Sequence, residues 1–297
     1  MPEAATRSGE SSLTLPIRVG CVSYLNTLPL IEGLDKCPEL SLVPAVPAHL
    51  IDLLTERRVD VGLVSLVDTQ RSDEPLDLIA SGMIGCDGPT MTVRLYSAVP
   101  LDRITRVHAD IESHTGLALM RVLLSRMFGV RPEIIDFNAR ERVANGSEML
   151  EWPEAVLMIG DKVVTDSPPA VRYPHQMDLG EAWKAMTGLP FVYAVWTCRE
   201  EDAHSDAVRL AASILDRQRR HNATRLGWIA ASRAGQRGWP ADLALRYLTD
   251  MLRFDIGPEG SAYRRAIDVF LDAAHAEGAL PRRRRVRWLE PASPCPA

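Results

Sequence analysis

The sequence predicts an α/β protein of two lobes joined by two crossings of the chain, with a C-terminal helical segment packed back on the first lobe. Three observations carry this expectation. From Ile17 onward, short apolar runs alternate with helix-patterned segments. The same alternation restarts near Pro100. After Thr197 the pattern is helical alone, and helices without a sheet of their own must bury their apolar stripes on an existing lobe.

The elements follow in order. Residues Met1 to Thr14 are small and polar, with neither the basic start nor the apolar stretch of a secretory signal, so 1–16 reads as a disordered tail. Residues 17–99 form the first part of lobe one. Ile17–Val22 is a strand ending in a Ser23-Tyr24 turn, and Thr27–Leu34 a short helix. Leu40–Val46 is a strand, and Ala48–Arg57 an amphipathic helix with Leu50, Leu53 and Leu54 on one face. Val59–Val64, Leu76–Ile84 and Met91–Ser97 are further strands. This β-α-β-α-β order argues for a mostly parallel sheet covered by helices.

Residues 100–190 form lobe two. Ile104–Ala109 is a strand, and Thr115–Phe128 a helix whose Leu117, Met120, Val122, Leu123 and Leu124 are apolar. Strands follow at Glu133–Phe137 and Ala155–Ile159, then a short helix at Gly180–Met186 containing Trp183. Phe191–Thr197 leads the chain back, and 191–297 completes lobe one with helices over Ala203–Ser232, Ala241–Phe254 and Ser261–Glu277. The last of these stops at Gly278. The lobe crossings fall near 98–103 and 187–195, which leaves a hinged cleft between the lobes.

Composition narrows the function. The 297 residues are 46% hydrophobic and 25% charged, which is ordinary for a soluble protein, and the net charge of −5 offers no bulk attraction for nucleic acid. The run Arg282–Arg285, with Arg287 and Trp288 behind it, reads as a solvated terminal segment rather than a nucleic-acid arm. Five widely spaced cysteines without a CxxC fit reduced thiols, and the scattered histidines hold no metal-ligand spacing, so neither metal nor cofactor is expected. No apolar run approaches the roughly 20 residues that span a bilayer, so no membrane partner is expected and the protein reads as cytoplasmic.

The most informative stretch is Val19-Gly20-Cys21-Val22-Ser23-Tyr24-Leu25-Asn26-Thr27-Leu28-Pro29-Leu30, a strand, a polar turn and a helix start. In parallel α/β sheets ligands bind beyond the carboxyl ends of strands, where helix N-termini offer N–H groups to anions. Ser23, Asn26 and Thr27 can add hydrogen bonds and Tyr24 an aromatic wall. On propensity alone, Asn26 or Thr27 as a plain helix cap is the simpler reading.

This segment resembles the N-terminal signature of the chorismate dehydratase family, a strand followed by SYLNTLPL or a close variant. Further resemblances follow in order along the chain. They are Asp60 to Ser65; Asp87-Gly88-Pro89 with Thr92-Val93 and Leu95-Tyr96-Ser97; Asp110 with Ser113 to Gly116; Leu157 to Asp161; Asp178 to Trp183; and Thr187 to Trp196. They cover Ile17 to Trp196 well and the helical tail loosely. The related enzymes that make 1,4-dihydroxy-6-naphthoate carry a signature like SPCPNDTF instead, so this sequence argues against that activity.

The resemblance implies a periplasmic-binding-protein type II-like fold used as a lyase, which removes water from chorismate to give 3-[(1-carboxyvinyl)oxy]benzoate on the futalosine route to menaquinone. It implies catalytic roles for Asn26 and for Thr92, which stands where the family has serine; His114 likewise replaces an arginine and Gly116 a serine. Threonine keeps the hydroxyl and adds a methyl that stiffens the rotamer. Neither Asn26 nor Thr92 can act as a base at neutral pH. Asp161, Asp87 or a carboxylate of the substrate itself remain for that role, and the family favours the substrate's own. Two anion sites are expected for chorismate, one at the Ser23, Tyr24, Thr27 turn and one at the Ser113, Thr115, Gly116 helix start. Ser65 is expected to add a hydroxyl and Asp161 to face the cleft, although capping the next helix is the simpler role for Asp161; for Ser113 capping and ligand binding are equally good readings. A non-catalytic binder of small anions on the same fold is the alternative function.

Overall fold

A computed structural model describes residues 15–110, 112–137 and 152–291. Residues 1–14 of the tail expected at 1–16 lie outside the described residues, as does Cys295. Two sheets organise the rest. The first holds β1 (Ile17–Cys21), β2 (Leu40–Pro44), β3 (Val61–Ser65) and β4 (Leu76–Cys86), joined by β10 (Phe191–Arg199), β11 (Leu252–Arg253) and β12 (Trp288–Leu289). Its order is β11-β4-β10-β3-β1-β2, with β12 also paired to β4. The second holds β5 (Val93–Ser97), β6 (Arg106–Asp110), β7 (Glu133–Phe137), β8 (Ala155–Ile159) and β9 (His175–Asp178), in the order β7-β6-β8-β5-β9.

The alternation predicted from Ile17 is present, and two details differ. The sheets are mixed rather than mostly parallel: β10 runs antiparallel to β3 and β4, and β5 antiparallel to β8 and β9. Both β5 and β10 arrive from the other lobe, so they enter their sheets against the local strand direction. Consequently Val93–Ser97, expected in the first lobe, belongs to the second sheet, and the first crossing runs from Cys86 to Val93 rather than at 98–103.

Local chemistry explains the elements. All five residues of β3 are buried, as a strand covered on both faces requires. Asp60, just before it, accepts the Arg18 backbone N–H at 2.8 Å and the guanidinium at 2.7 Å, which sets β1 against β3. The buried Arg199 guanidinium donates to the carbonyls of Leu54 and Val59, behind α2 (Leu50–Thr55). Short helices α1 (Leu28–Ile31) and α3 (Asp68–Arg71) follow the ends of β1 and β3. In the second lobe, α4 (His114–Phe128) is capped by Ser113 and ends on Gly129 at φ +70°, α5 (Lys162–Thr165) follows β8, and α6 (Leu179–Thr187) is capped by Asp178.

The helical tail departs from expectation in ways that matter for the cleft. The segment 203–232 is two helices, α7 (Asp206–Ala223) and α8 (Leu226–Arg233). They break because their apolar residues serve different cores: Val208, Ala211, Ile214 and Leu215 pack with β1 and Trp196, whereas Ile229 and Ala230 pack with Leu25, Trp239 and Tyr247. The segment 241–254 starts as α9 (Ala241–Arg246), widens to a π-helical turn at Tyr247–Met251, and ends in β11, which pairs with the end of β4. The last helix, α10 (Ala262–Ala276), packs on both lobes rather than the first alone. Phe270 touches Trp183 of α6 at 5.7 Å and Phe191 of β10 at 4.8 Å, and Glu277 binds Ser125 and Arg126 of α4.

The arginine run is not a loose solvated segment. Arg282 pairs with Asp73, Arg283 with Asp268 and Asp272, and Arg284 donates to the carbonyls of Ser72 and Asp73. It fastens β12 to the edge of β4. Among the described residues, no helix is long and apolar enough to cross a membrane.

Candidate active site

The cleft between the lobes narrows to a cavity of about 70 Å³, room for a few water molecules. The polar side chains lining it are Tyr24, Asn26, Ser65, Thr90, Thr92, Ser113, Tyr193 and Tyr247, set among apolar Val22, Leu63, Ile84, Val93, Ile159 and Leu252. None of the described lining residues is Asp, Glu, His, Lys or Arg. The site offers hydroxyls and an amide, with no side chain that is a base at neutral pH.

Of the ten residues singled out from sequence, five line this cavity: Tyr24, Asn26, Ser65, Thr92 and Ser113. The other five stand back from it. Ser23 is exposed, and only its carbonyl is engaged, by Arg237. Thr27 is fully buried and its hydroxyl donates to Asn26 Oδ1 at 3.2 Å, so it orients Asn26 instead of meeting a ligand. Thr115 is fully buried and accepts the Val67 backbone N–H at 3.3 Å, a contact between lobes. Gly116 sits in a tight place: a Cβ there would lie 3.1 Å from Ser113 Oγ and 3.3 Å from Val93. Asp161 does not cap α5 with its side chain; its Oδ2 accepts the Leu25 N–H across the cleft at 3.3 Å. That carboxylate thus uses one of the backbone donors expected to serve an anion. Asp87 is exposed, paired with Lys184 at 2.6 Å, and off the cavity.

The two residues that the resemblance marks as catalytic come together from distant sequence. Asn26 lies on the helical turn after β1, and Thr92 on the first crossing, buried. The crossing is shaped by Asp178. Its carboxylate accepts the N–H groups of Thr90 at 3.0 Å and Met91 at 2.7 Å while also capping α6 through Gly180 and Glu181. Met91 is held at φ +64°, a left-handed conformation that residues with a side chain rarely adopt. The Thr92 carbonyl then accepts from Gly160 at 2.8 Å, which locks the crossing to the end of β8.

Contacts between the lobes hold the cleft narrow. The Tyr24 hydroxyl donates to Glu112, which lies 3.1 Å from the buried Lys162 ammonium, itself paired with Asp110. Burial pushes the Asp110 carboxyl up against the pull of Lys162. His114, on the second lobe, meets Asp68 of the first at 2.8 Å. Ser113 accepts the Gly116 N–H at 3.1 Å, which leaves its own hydrogen free to donate into the cavity at the positive end of α4.

Sequence reasoning missed Thr90, Tyr193 and Tyr247. Tyr247 is the consequential one: it is buried, and its hydroxyl is 2.6 Å from Thr92 Oγ1. It sits in a segment that reads as plain helix, and the π turn that brings it to the cleft has no sequence signal.

The comparisons with known proteins agree with this picture. A family model described as menaquinone biosynthesis matches residues 17–276. The chorismate dehydratase of Thermus thermophilus is 30% identical over 247 residues, which cover 78% of this chain and 87% of that protein. Among solved structures, the Archaeoglobus fulgidus protein AF1704 superposes with a TM-score of 0.65 at 15% identity, covering 90% of this chain and all of that one. The Candida albicans CA3427 product, described as having the generic periplasmic binding protein fold, superposes at 0.60 and 15% identity, with 91% and 92% covered. The two-sheet architecture with its paired crossings is that fold, and the chain belongs to the chorismate dehydratase family of menaquinone biosynthesis.

Proposed function

We propose that the protein is a lyase that dehydrates chorismate to 3-[(1-carboxyvinyl)oxy]benzoate, the step that enters menaquinone synthesis through futalosine. One observation carries the reading: the cavity where Asn26 and Thr92 meet is lined by hydroxyls and apolar groups with no side-chain acid or base among the described residues. That suits a reaction in which the substrate brings its own base. The enolpyruvyl carboxylate takes the hydrogen at ring carbon 3. The electron pair of that bond enters the ring, the bond from carbon 4 to its hydroxyl breaks, and the hydroxyl leaves with the abstracted proton as water. Aromatisation drives the step.

The protein's part is orientation and hydrogen bonding. Asn26 and Thr92 address the departing hydroxyl. Ser113, at the N-terminus of α4, and Ser65, at the end of β3, address the carboxylates, with Tyr24 as a wall. Closure of the lobes excludes water and folds the side chain of the substrate over its ring. No cofactor takes part in this scheme.

The test is incubation of the purified protein with chorismate, followed by chromatography with mass detection, with Asn26→Ala as control. An aromatic acid one water lighter than chorismate, absent with the variant, supports the reading. Intact chorismate that still raises the melting temperature makes the protein a binder of small anions. Neither turnover nor a thermal shift rejects chorismate as the ligand.

A further inference from the structure

At the floor of the cavity lie two hydrogen-bonded pairs, Thr27 with Asn26 and Tyr247 with Thr92. Thr27 Oγ1 donates to Asn26 Oδ1 at 3.2 Å, which leaves the amide hydrogens of Asn26 for the ligand. The phenol lies 2.6 Å from Thr92 Oγ1. We propose that Tyr247 is a positioning residue that donates to Thr92 Oγ1, so that the hydroxyl hydrogen of Thr92 points into the cavity. The inference deepens the dehydratase reading and rests on it for its chemistry.

A phenol has one hydrogen. A phenol is a stronger donor and a weaker acceptor than an aliphatic hydroxyl, so that hydrogen goes to Thr92 Oγ1, and Thr92 turns its own outward, toward the ligand. Hydrogen bonds in such a chain polarise one another. Burial, aided by the charge of Asp161, pushes the Tyr247 phenol above its ordinary value, so it stays a donor. The ring has little freedom, being fully buried and stacked on Trp239 at 4.9 Å and 20°. In the reaction Thr92 hydrogen-bonds the departing hydroxyl and keeps its proton. The proton from the ring carbon completes the water, and the protein ends as it began.

Tyr247→Phe is the test. Expected is a kcat for chorismate about 10- to 100-fold lower, with KM within about threefold. Combined with Thr92→Val, the double variant should be no slower than Thr92→Val alone, because Tyr247 acts through Thr92. A readout independent of turnover is NMR of the Thr92 methyl group: one χ1 rotamer in the wild type and rotamer averaging in Tyr247→Phe. A kcat within about twofold, additive losses, or an unchanged Thr92 rotamer would overturn the proposal. If wild-type protein leaves chorismate intact, the dehydratase reading fails by itself and the Thr92 rotamer alone decides the positioning role. Should Tyr247→Phe not fold, 3,5-difluorotyrosine at 247 acidifies the phenol at nearly constant size. An alkaline loss of kcat should then enter the assay range, and an unmoved pH profile would overturn the proposal.

Discussion

Oδ2 of Asp161, on the second lobe, accepts the backbone N–H of Leu25, on the first, at 3.3 Å. The carboxylate that ends the β8 motif therefore ties the lobes together and lies off the cavity lining. An asparagine oxygen can accept the same hydrogen. Asp161→Asn should keep kcat for chorismate within about threefold of wild type. Loss of the 10²- to 10⁴-fold that a general base supplies, with chorismate binding intact by calorimetry, would make Asp161 the base.

Thr92 carries its hydroxyl on a stiff, branched side chain, with Tyr247 at 2.6 Å. Thr92→Ser retains the oxygen and should hold kcat within about threefold. Thr92→Val keeps the shape and loses the donor, and should lower kcat by about 10²-fold. Steady-state kinetics of the pair separate hydroxyl from methyl.

Asp178 serves two masters, the start of α6 and the strained Thr90–Met91 turn. Asp178→Ala removes a cap and leaves two backbone N–H groups unsatisfied. It should lower the unfolding free energy in urea by about 2–4 kcal/mol. The folded fraction should also turn over more slowly, because Thr92 follows that turn.

Phe270 fills the space between Trp183 and Phe191, where the second crossing leaves the second lobe. Phe270→Ala should cost about 3–5 kcal/mol of stability by the same measurement. A loss below 1 kcal/mol would mean that α10 is not part of the folded core.

Asp60 is partly buried, which alone would raise its carboxyl, yet the hydrogen bonds from Arg18 outweigh burial and hold it below the ordinary carboxylate value. The native state thus binds this proton less readily than the unfolded chain. The stability that Asp60 adds is complete above the unfolded carboxylate range, near pH 4, and is lost as pH falls through the lower native value. Asp60→Asn should lower stability at pH 7 and flatten its decline between about pH 4 and 2, read from urea midpoints across that range.

Much of this architecture was legible in the chain. The alternation of Val19 to Leu30, the strands through Val61 and Leu157, and the helix from Thr115 to Phe128 are local patterns, set by periodicity and caps that neighbouring residues determine among themselves. Asn26, Thr92 and the motif blocks could be read for the same reason, since each lies within a few residues of a recognisable strand end. What only the tertiary structure decided is how distant segments share one space. β5 joins the second sheet because β8 and β9 offer it two antiparallel edges, which no pattern inside Val93–Ser97 encodes. Thr115 and Asp161 became lobe-to-lobe ties because their partners, Val67 and Leu25, lie 48 and 136 residues away. Tyr247 reached Thr92, 155 residues away, on a π turn that leads into β11, the strand paired with β4. Periodicity reports which face of an element is buried, and the identity of what buries it is a property of the folded whole.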